Sequence, residues 1–207
     1  MKQEVIIIGA SGHGKVVADI INLSGDKVIG FLDDNSQLRG RFMDFPVLGK
    51  ADQFQDYKGY KFVVAIGNAS IREKIANKMQ RVKWYTAIHP SAVISNLGVT
   101  IGEGTVVMAN AVVNAGTSVG KHCIINSSAV VEHDNQIEDF AHVSVGAKLA
   151  GTVYIGRRTW IGIGASVSNN LSICADCMVG AGSVVVKDIE KAGTYVGVPA
   201  KRIDMPK

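Results

Sequence analysis

Residues 101–190 read IGEGTVVMANAVVNAGTSVGKHCIINSSAVVEHDNQIEDFAHVSVGAKLAGTVYIGRRTWIGIGASVSNNLSICADCMVGAGSVVVKDIE, and every sixth residue is aliphatic. The series runs Ile101, Val107, Val113, Val119, Ile125, Val131, Ile137, Val143, Leu149, Ile155, Ile161, Val167, Ile173, Val179, Val185. Four residues after most of these stands a small side chain, as at Thr105, Ala111, Thr117, Cys123, Ala129, Ala141, Ala147, Thr159, Ala165, Cys177 and Ser183; Asn135, Val153, Leu171 and Ile189 depart from that rule. An unbroken six-residue period predicts a parallel β-helix. Each hexad supplies one short strand and one turn, and three hexads, about 18 residues, close one triangular coil. No single coil can bury its aliphatic residues, so coils must stack. A helical period of 3.6 does not fit the stretch. The region around Ala92–Ile94 reads as the start of a further coil.

Upstream the pattern changes. Glu4-Val5-Ile6-Ile7-Ile8 reads as a buried parallel strand, and Gly9-Ala10-Ser11-Gly12-His13-Gly14 turns it into an apolar helix carrying Val16, Val17, Ile20 and Ile21. A second strand, 27–32, ends in Asp33-Asp34-Asn35; a third, 62–66, ends in Gly67-Asn68, and Ser70-Ile71-Arg72-Glu73 reads as a capping box opening a helix. Strand, helix, strand in this order predicts a small Rossmann-like α/β domain over 1–88. His89-Pro90 marks the joint, because proline disfavours helix in the residue before it. Residues 89–207 then form the β-helix domain with a C-terminal tail.

Backbone N–H groups at a helix start can hold phosphate, so the glycine loop is a candidate nucleotide site. Its spacing, GxxGxG, departs from the dinucleotide fingerprint GxGxxG, and a tight turn without ligand is the alternative. Carboxylates after the second strand suit a ribose hydroxyl or another sugar or base donor. At His13, loop packing and ligand contact both remain open.

With 47% hydrophobic residues in 207, the chain can build a proper core. The N-terminal apolar run of four residues is too short for a signal peptide or a membrane span, so a cytoplasmic location without membrane insertion is expected. A net charge of +4 suits small anionic ligands better than nucleic acid. Of three cysteines, Cys123 and Cys177 occupy the small-residue slot of the hexad. Cys174 and Cys177 form a CxxC with no second pair to complete a zinc site, so a structural role is expected and no metal site.

The chain resembles the bacterial sugar acetyltransferases of the PglD/NeuD type. The resemblance rests on Gly9–Gly14, on Phe31-Leu32-Asp33-Asp34, and on Ala65-Ile66-Gly67-Asn68. It continues through Asn126-Ser127-Ser128-Ala129-Val130-Val131-Glu132-His133-Asp134, His142–Ala147 and Val196–Arg202. It implies a trimer of left-handed β-helices, acetyl-CoA as donor, and an N-terminal domain that holds the nucleotide of a nucleotide-linked sugar. The members it is most similar to acetylate the 4-amine of a UDP-linked amino-dideoxy sugar; others acetylate a hydroxyl of sialic acid. By this resemblance Ser11, Gly12, His13, Asp33, Asp34 and Gly67 fall at nucleotide-sugar positions. His133 falls at the general base with Asp134 raising its basicity, and His142, Gly151, Ile163 and Ala181 fall around acetyl-CoA. The family often has Glu after the catalytic histidine; Asp134 is shorter by one methylene.

A histidine is largely neutral at pH 7 and can take the proton an amine loses as it attacks a thioester. A carboxylate on its other ring nitrogen fixes the tautomer. Glu132-His133-Asp134 is an unusually charged run for the repeat. His122, beside Lys121, is expected to be solvated. His133 and His142 lie half a coil apart and so on opposite sides of one prism; if both serve acetyl-CoA, the site lies between subunits. Two further readings differ in class. Zinc held by His122, His133 and His142 from two subunits is one, though their spacing lacks a close pair. A non-catalytic nucleotide-sugar sensor is the other, and it leaves Glu132-His133-Asp134 without a role.

Overall fold

The computed structural model of the chain describes residues 2–38 and 40–203. The N-terminal unit is a six-stranded sheet of β1 (Glu4–Ile8), β2 (Lys27–Leu32), β3 (Arg41–Phe42), β4 (Phe45–Gly49), β5 (Lys61–Val64) and β6 (Lys83–Trp84), in the order β3-β4-β2-β1-β5-β6. All neighbours are parallel except the β3–β4 hairpin. Helix α1 (Gly12–Leu23) follows β1, and α2 (Ala69–Lys78) follows β5. Val5–Ile8 are buried on both faces, as a central parallel strand requires.

From Ala87 onward the chain winds through three parallel ladders that together form a left-handed parallel β-helix. Face I stacks Ala87–Ile88, Val106–Val107, Ile124–Ile125, His142–Val143, Trp160–Ile161 and Cys177–Val179. Face II runs from Val93–Ile94 to Val184–Val185, and face III from Thr100–Ile101 to Ser172–Ile173. The sixth-residue aliphatics from Val107 to Val185 fill the prism interior. Ala87–Ile88 already pairs with Val106–Val107, so the first prism strand precedes His89-Pro90, which forms the corner after it. The period had hidden this strand, because Ile94 and Ile101 are seven residues apart and the register slips once.

The turns obey a rule of their own. Every sixth residue from Gly98 to Gly182 has a positive φ between 52° and 73°, and from Gly104 onward each is the third after an inward aliphatic. Six of these are glycine, but His122, Phe140, Thr152 and Arg158 also take this left-handed conformation.

The outward residues of the three faces differ in kind. Face I shows Val106, Ile124, His142, Trp160 and Met178; face III shows Thr100, Ser118, Gln136, Tyr154 and Ser172. Face II shows Val93, Val112, Val130 and Val184 with Lys148 and Ser166, and these valines are exposed or half-buried. Helix α1 lies on face I, and Val17, Ala18, Ile20 and Ile21 share one core with Val106, Met108 and Ile124. Each valine, isoleucine or methionine of this core taken from water contributes about 1.5–3 kcal/mol, so face I is a firm seat for the N-terminal domain.

A charged hinge completes the seat at the corner between faces III and I. Glu73 of α2 accepts from both Arg157 and Arg158, while Asp139 and Asp176 hold the far ends of those arginines. The expected capping box at Ser70–Glu73 is not formed. The N-cap is Asn68, whose side chain accepts from the Ile71 N–H at 3.0 Å, and Glu73 reaches out to the prism instead. Among the described residues, no helix is long and apolar enough to cross a membrane.

Candidate active site

The corner between faces II and III carries His133 and Asp134 side by side. Asp134 sits at a left-handed turn position, φ 59°, which swings its carboxylate back to the preceding imidazole. His133 Nδ1 lies 2.8 Å from Asp134 Oδ2. That bond makes Nδ1 the protonated nitrogen and leaves the Nε2 lone pair free. Both side chains are open to solvent, at 59% and 63%. Glu132 turns to the other side and accepts from Asn114 Nδ2 at 2.9 Å. The shorter carboxylate therefore still reaches the imidazole.

Gly151 lies one coil later, directly beneath that imidazole. A Cβ there would come within 2.5 Å of His133 Cε1 and Nε2. Ile163 and Ala181, the other expected acetyl-CoA positions, are exposed on a different corner, between faces I and II. One chain does not gather these residues.

His142 is on face I, beneath the N-terminal domain and 7% exposed. Its Nε2 lies 3.0 Å from Asn126 Nδ2, and its ring stacks on Trp160 at 5.1 Å. Burial first, then the charge of Arg72 and the neighbouring His13, push its pKa down to about 3, so it is neutral at physiological pH. Asn126 and Trp160 were not singled out in the sequence. The stacking was there to be found in the period, since Trp160 follows His142 by one coil.

The glycine loop, β2 and β5 end on this same side. Gly9 has φ 107° and a Cβ there would lie 2.9 Å from the Ala65 carbonyl oxygen, so the turn requires glycine. Ser11 is the N-cap of α1 and makes no side-chain bond; Gly12 beside it is exposed. His13 is half-buried, its Nε2 has no partner, and burial pushes its pKa down to about 4. Asp33 accepts from the Ala10 N–H at 2.6 Å and from the Asn35 N–H at 2.8 Å, and Asp34 from the Ala51 N–H at 2.9 Å. Both carboxylates thus shape the loops that border the cleft. Gly67 lines a cavity of about 330 Å³ with Asn68, Ser70, His142, Trp160 and Met178.

His122 overturns its expectation. It is 4% exposed, stacked on Phe140 with centroids 5.2 Å apart and met edge-on by Trp84 at 4.6 Å. Burial, aided by Arg72, drives its pKa down to about 4. Lysine on one side suggested water, but the left-handed turn at residue 122 points the imidazole into the domain junction. A ring covered on both sides cannot join His133 of another prism around a metal ion. Cys123 and Cys177 are buried in the prism, as their slot predicts, and Cys174 Sγ lies 3.4 Å from Cys177 Sγ, both as free thiols.

Residues 4–79 match the family described as PglD N-terminal domain, and residues 98–133 match the bacterial transferase hexapeptide (six repeats). A UDP-N-acetylbacillosamine N-acetyltransferase of Bacillus subtilis is 39% identical over 113 residues, 52% of each chain. The match thus spans about half the length of this curated relative. The acetyltransferase domain of PglB from Neisseria gonorrhoeae, solved in complex with acetyl coenzyme A, is 36% identical; it covers 98% of this chain and 100% of its own, with a TM-score of 0.93. PerB from Caulobacter crescentus, in complex with CoA and GDP-perosamine, is 37% identical over 97% of both chains, with a TM-score of 0.90.

Proposed function

The chain belongs to the hexapeptide-repeat acetyltransferases that carry a PglD-type N-terminal domain, and on that premise we propose that it acetylates the 4-amine of a nucleotide-linked amino-dideoxy sugar, with acetyl-CoA as donor. The observation that carries this reading is the His133–Asp134 pair, oriented and open to solvent with its Nε2 free. The amine nitrogen attacks the thioester carbonyl carbon and gives its proton to His133 Nε2. The tetrahedral intermediate then expels the CoA sulfur, and the imidazolium returns the proton to it. Asp134 holds the tautomer and stabilises the imidazolium. General-base catalysis of this kind contributes about 10²–10⁴ in rate. No metal takes part in this scheme.

The named relatives support the substrate class: one acts on UDP-N-acetylbacillosamine by its name, and another holds GDP-perosamine and CoA. UDP is the nucleotide we favour. Ser11, Gly12, His13, Asp33, Asp34 and Gly67 would border the nucleotide sugar, and His142, Gly151, Ile163 and Ala181 the acetyl-CoA.

The site we propose is shared between subunits of a cytoplasmic homotrimer. His133 stands at the corner opposite face I, while the glycine loop and His142 are on face I. An acceptor held by one chain therefore meets His133 only of a neighbour. Face II, the uncovered valine column, would pack around the three-fold axis.

Thiol release from acetyl-CoA with a panel of UDP-, GDP- and dTDP-linked amino sugars and free sialic acid tests the reaction. Only a 4-amino nucleotide sugar should turn over well; rapid acetylation of sialic acid instead would replace the amine with a hydroxyl acceptor. His133→Ala should lower kcat about a hundredfold or more while the trimer persists. Activity within tenfold of wild type would sink the general-base role.

A further inference from the structure

Among the described residues Arg72, 1% exposed, is the largest fully buried side chain, and none of their carboxylates pairs with it. Its guanidinium instead donates to four backbone carbonyls. Nη1 bonds Ile66 O at 2.8 Å and Gly67 O at 2.9 Å; Nε bonds His122 O at 2.7 Å and Nη2 bonds Phe140 O at 2.6 Å. The first two carbonyls belong to the loop after β5. The other two belong to successive coils of the prism, at left-handed corner positions.

A planar fork with five N–H groups can meet carbonyls on two sides at once; an ammonium cannot span them. Burying a guanidinium without a counter-charge is costly, so the arrangement is retained against a penalty. Domain docking alone does not call for it. The apolar seat of α1 on face I and the ion pairs of Glu73 with Arg157 and Arg158 already join the two units.

What Arg72 alone does is tie Gly67 to Phe140, two residues before His142. We infer that Arg72 is a positioning residue for the acceptor: it sets the nucleotide-sugar loop at a fixed height against the face that carries His142. This rests on the reading of the Gly67 loop as part of the acceptor site. Of the positions proposed for acetyl-CoA, Gly151, Ile163 and Ala181 lie on prism corners that Arg72 does not touch, and the His142 ring is fixed independently of Arg72 by Asn126 and Trp160, so acetyl-CoA binding should be spared.

The test is steady-state kinetics of the full-length trimer with both substrates varied, for Arg72→Lys and Arg72→Gln, with Glu73→Gln as the docking control. The Arg72 variants should raise the KM for the nucleotide sugar tenfold or more and leave the KM for acetyl-CoA within twofold. Thermal shift should agree, with stabilisation by the nucleotide sugar lost and stabilisation by acetyl-CoA kept. Glu73→Gln should lower Tm without moving either KM. If both KM values rise together, or only Tm falls in the Arg72 variants, Arg72 merely braces the junction and the inference is overturned. If Arg72→Gln fails to fold, Arg72→Lys keeps the cation and decides. Wild-type turnover in the same assay tests the proposed reaction separately.

Discussion

At the scale of single residues, the candidate base was legible because its two parts are neighbours in sequence. A carboxylate next to a histidine needs only a turn to reach it, and Asp134 supplies that turn itself with φ 59°. What holds the imidazole from below could not be read, because Gly151 acts by lacking a side chain. The three atoms nearest to a Cβ built there all belong to the His133 ring, two of them at 2.5 Å. Gly151→Ala should therefore push the ring off its bond to Asp134. Displacements of about 1 Å can cost about a hundredfold in rate. We expect kcat to fall at least about tenfold, by the thiol-release assay, with Tm near wild type because the displaced ring is exposed. Unchanged kcat would show that the ring sits elsewhere during turnover. His122 was misjudged for the opposite reason: its flanking lysine was visible, but Trp84 and Phe140, which cover its ring, come from outside its own hexad.

At the scale of elements, the inward aliphatics announced the coils, while the corners were silent. The left-handed position carries Gly, Asn and Asp at many turns, yet also His122, Phe140, Thr152 and Arg158. Residue type alone does not mark such a position when tertiary contacts repay the strain. A non-glycine residue there costs about 1–2 kcal/mol. Gly164 isolates that cost, since φ is 65° and a Cβ would meet nothing within 4 Å. Gly164→Ala should lower stability by about 1–2 kcal/mol, read as a fall in Tm, through backbone strain alone. The start of α2 departs from its sequence pattern for a similar reason, with Asn68 rather than Ser70 as its cap. Ser70 and Glu73 have capping-box spacing, but Glu73 finds two arginines on the prism, which offer a charged glutamate more than one N-cap N–H does.

At the scale of the whole molecule, the three prism faces have three fates. The first coils of face I, at Val106 and Ile124, are covered by the chain's own α1, face III is polar and suited to water, and face II presents valines. In the proposed trimer, Val130→Glu would place a charge on each of three facing prisms and should yield a monomer by light scattering, with activity lost although Tm of the prism survives. Mixed trimers of His133→Ala and His142→Ala chains should then recover part of the activity, because some clefts combine an intact His133 with an intact neighbour. Recovery absent in verified mixed trimers would place both histidines in one subunit's site. The sequence by itself determined the coil, its inward residues, the α/β domain before it and the histidine–carboxylate pair, because each is a local pattern of period or adjacency. Only the tertiary structure decided which face the α/β domain covers, that His122 is buried, and that Arg72 links loop to prism. Those depend on surfaces meeting across 50 or more residues of chain, as Arg72 meets His122 and Phe140, and no local pattern encodes such a meeting.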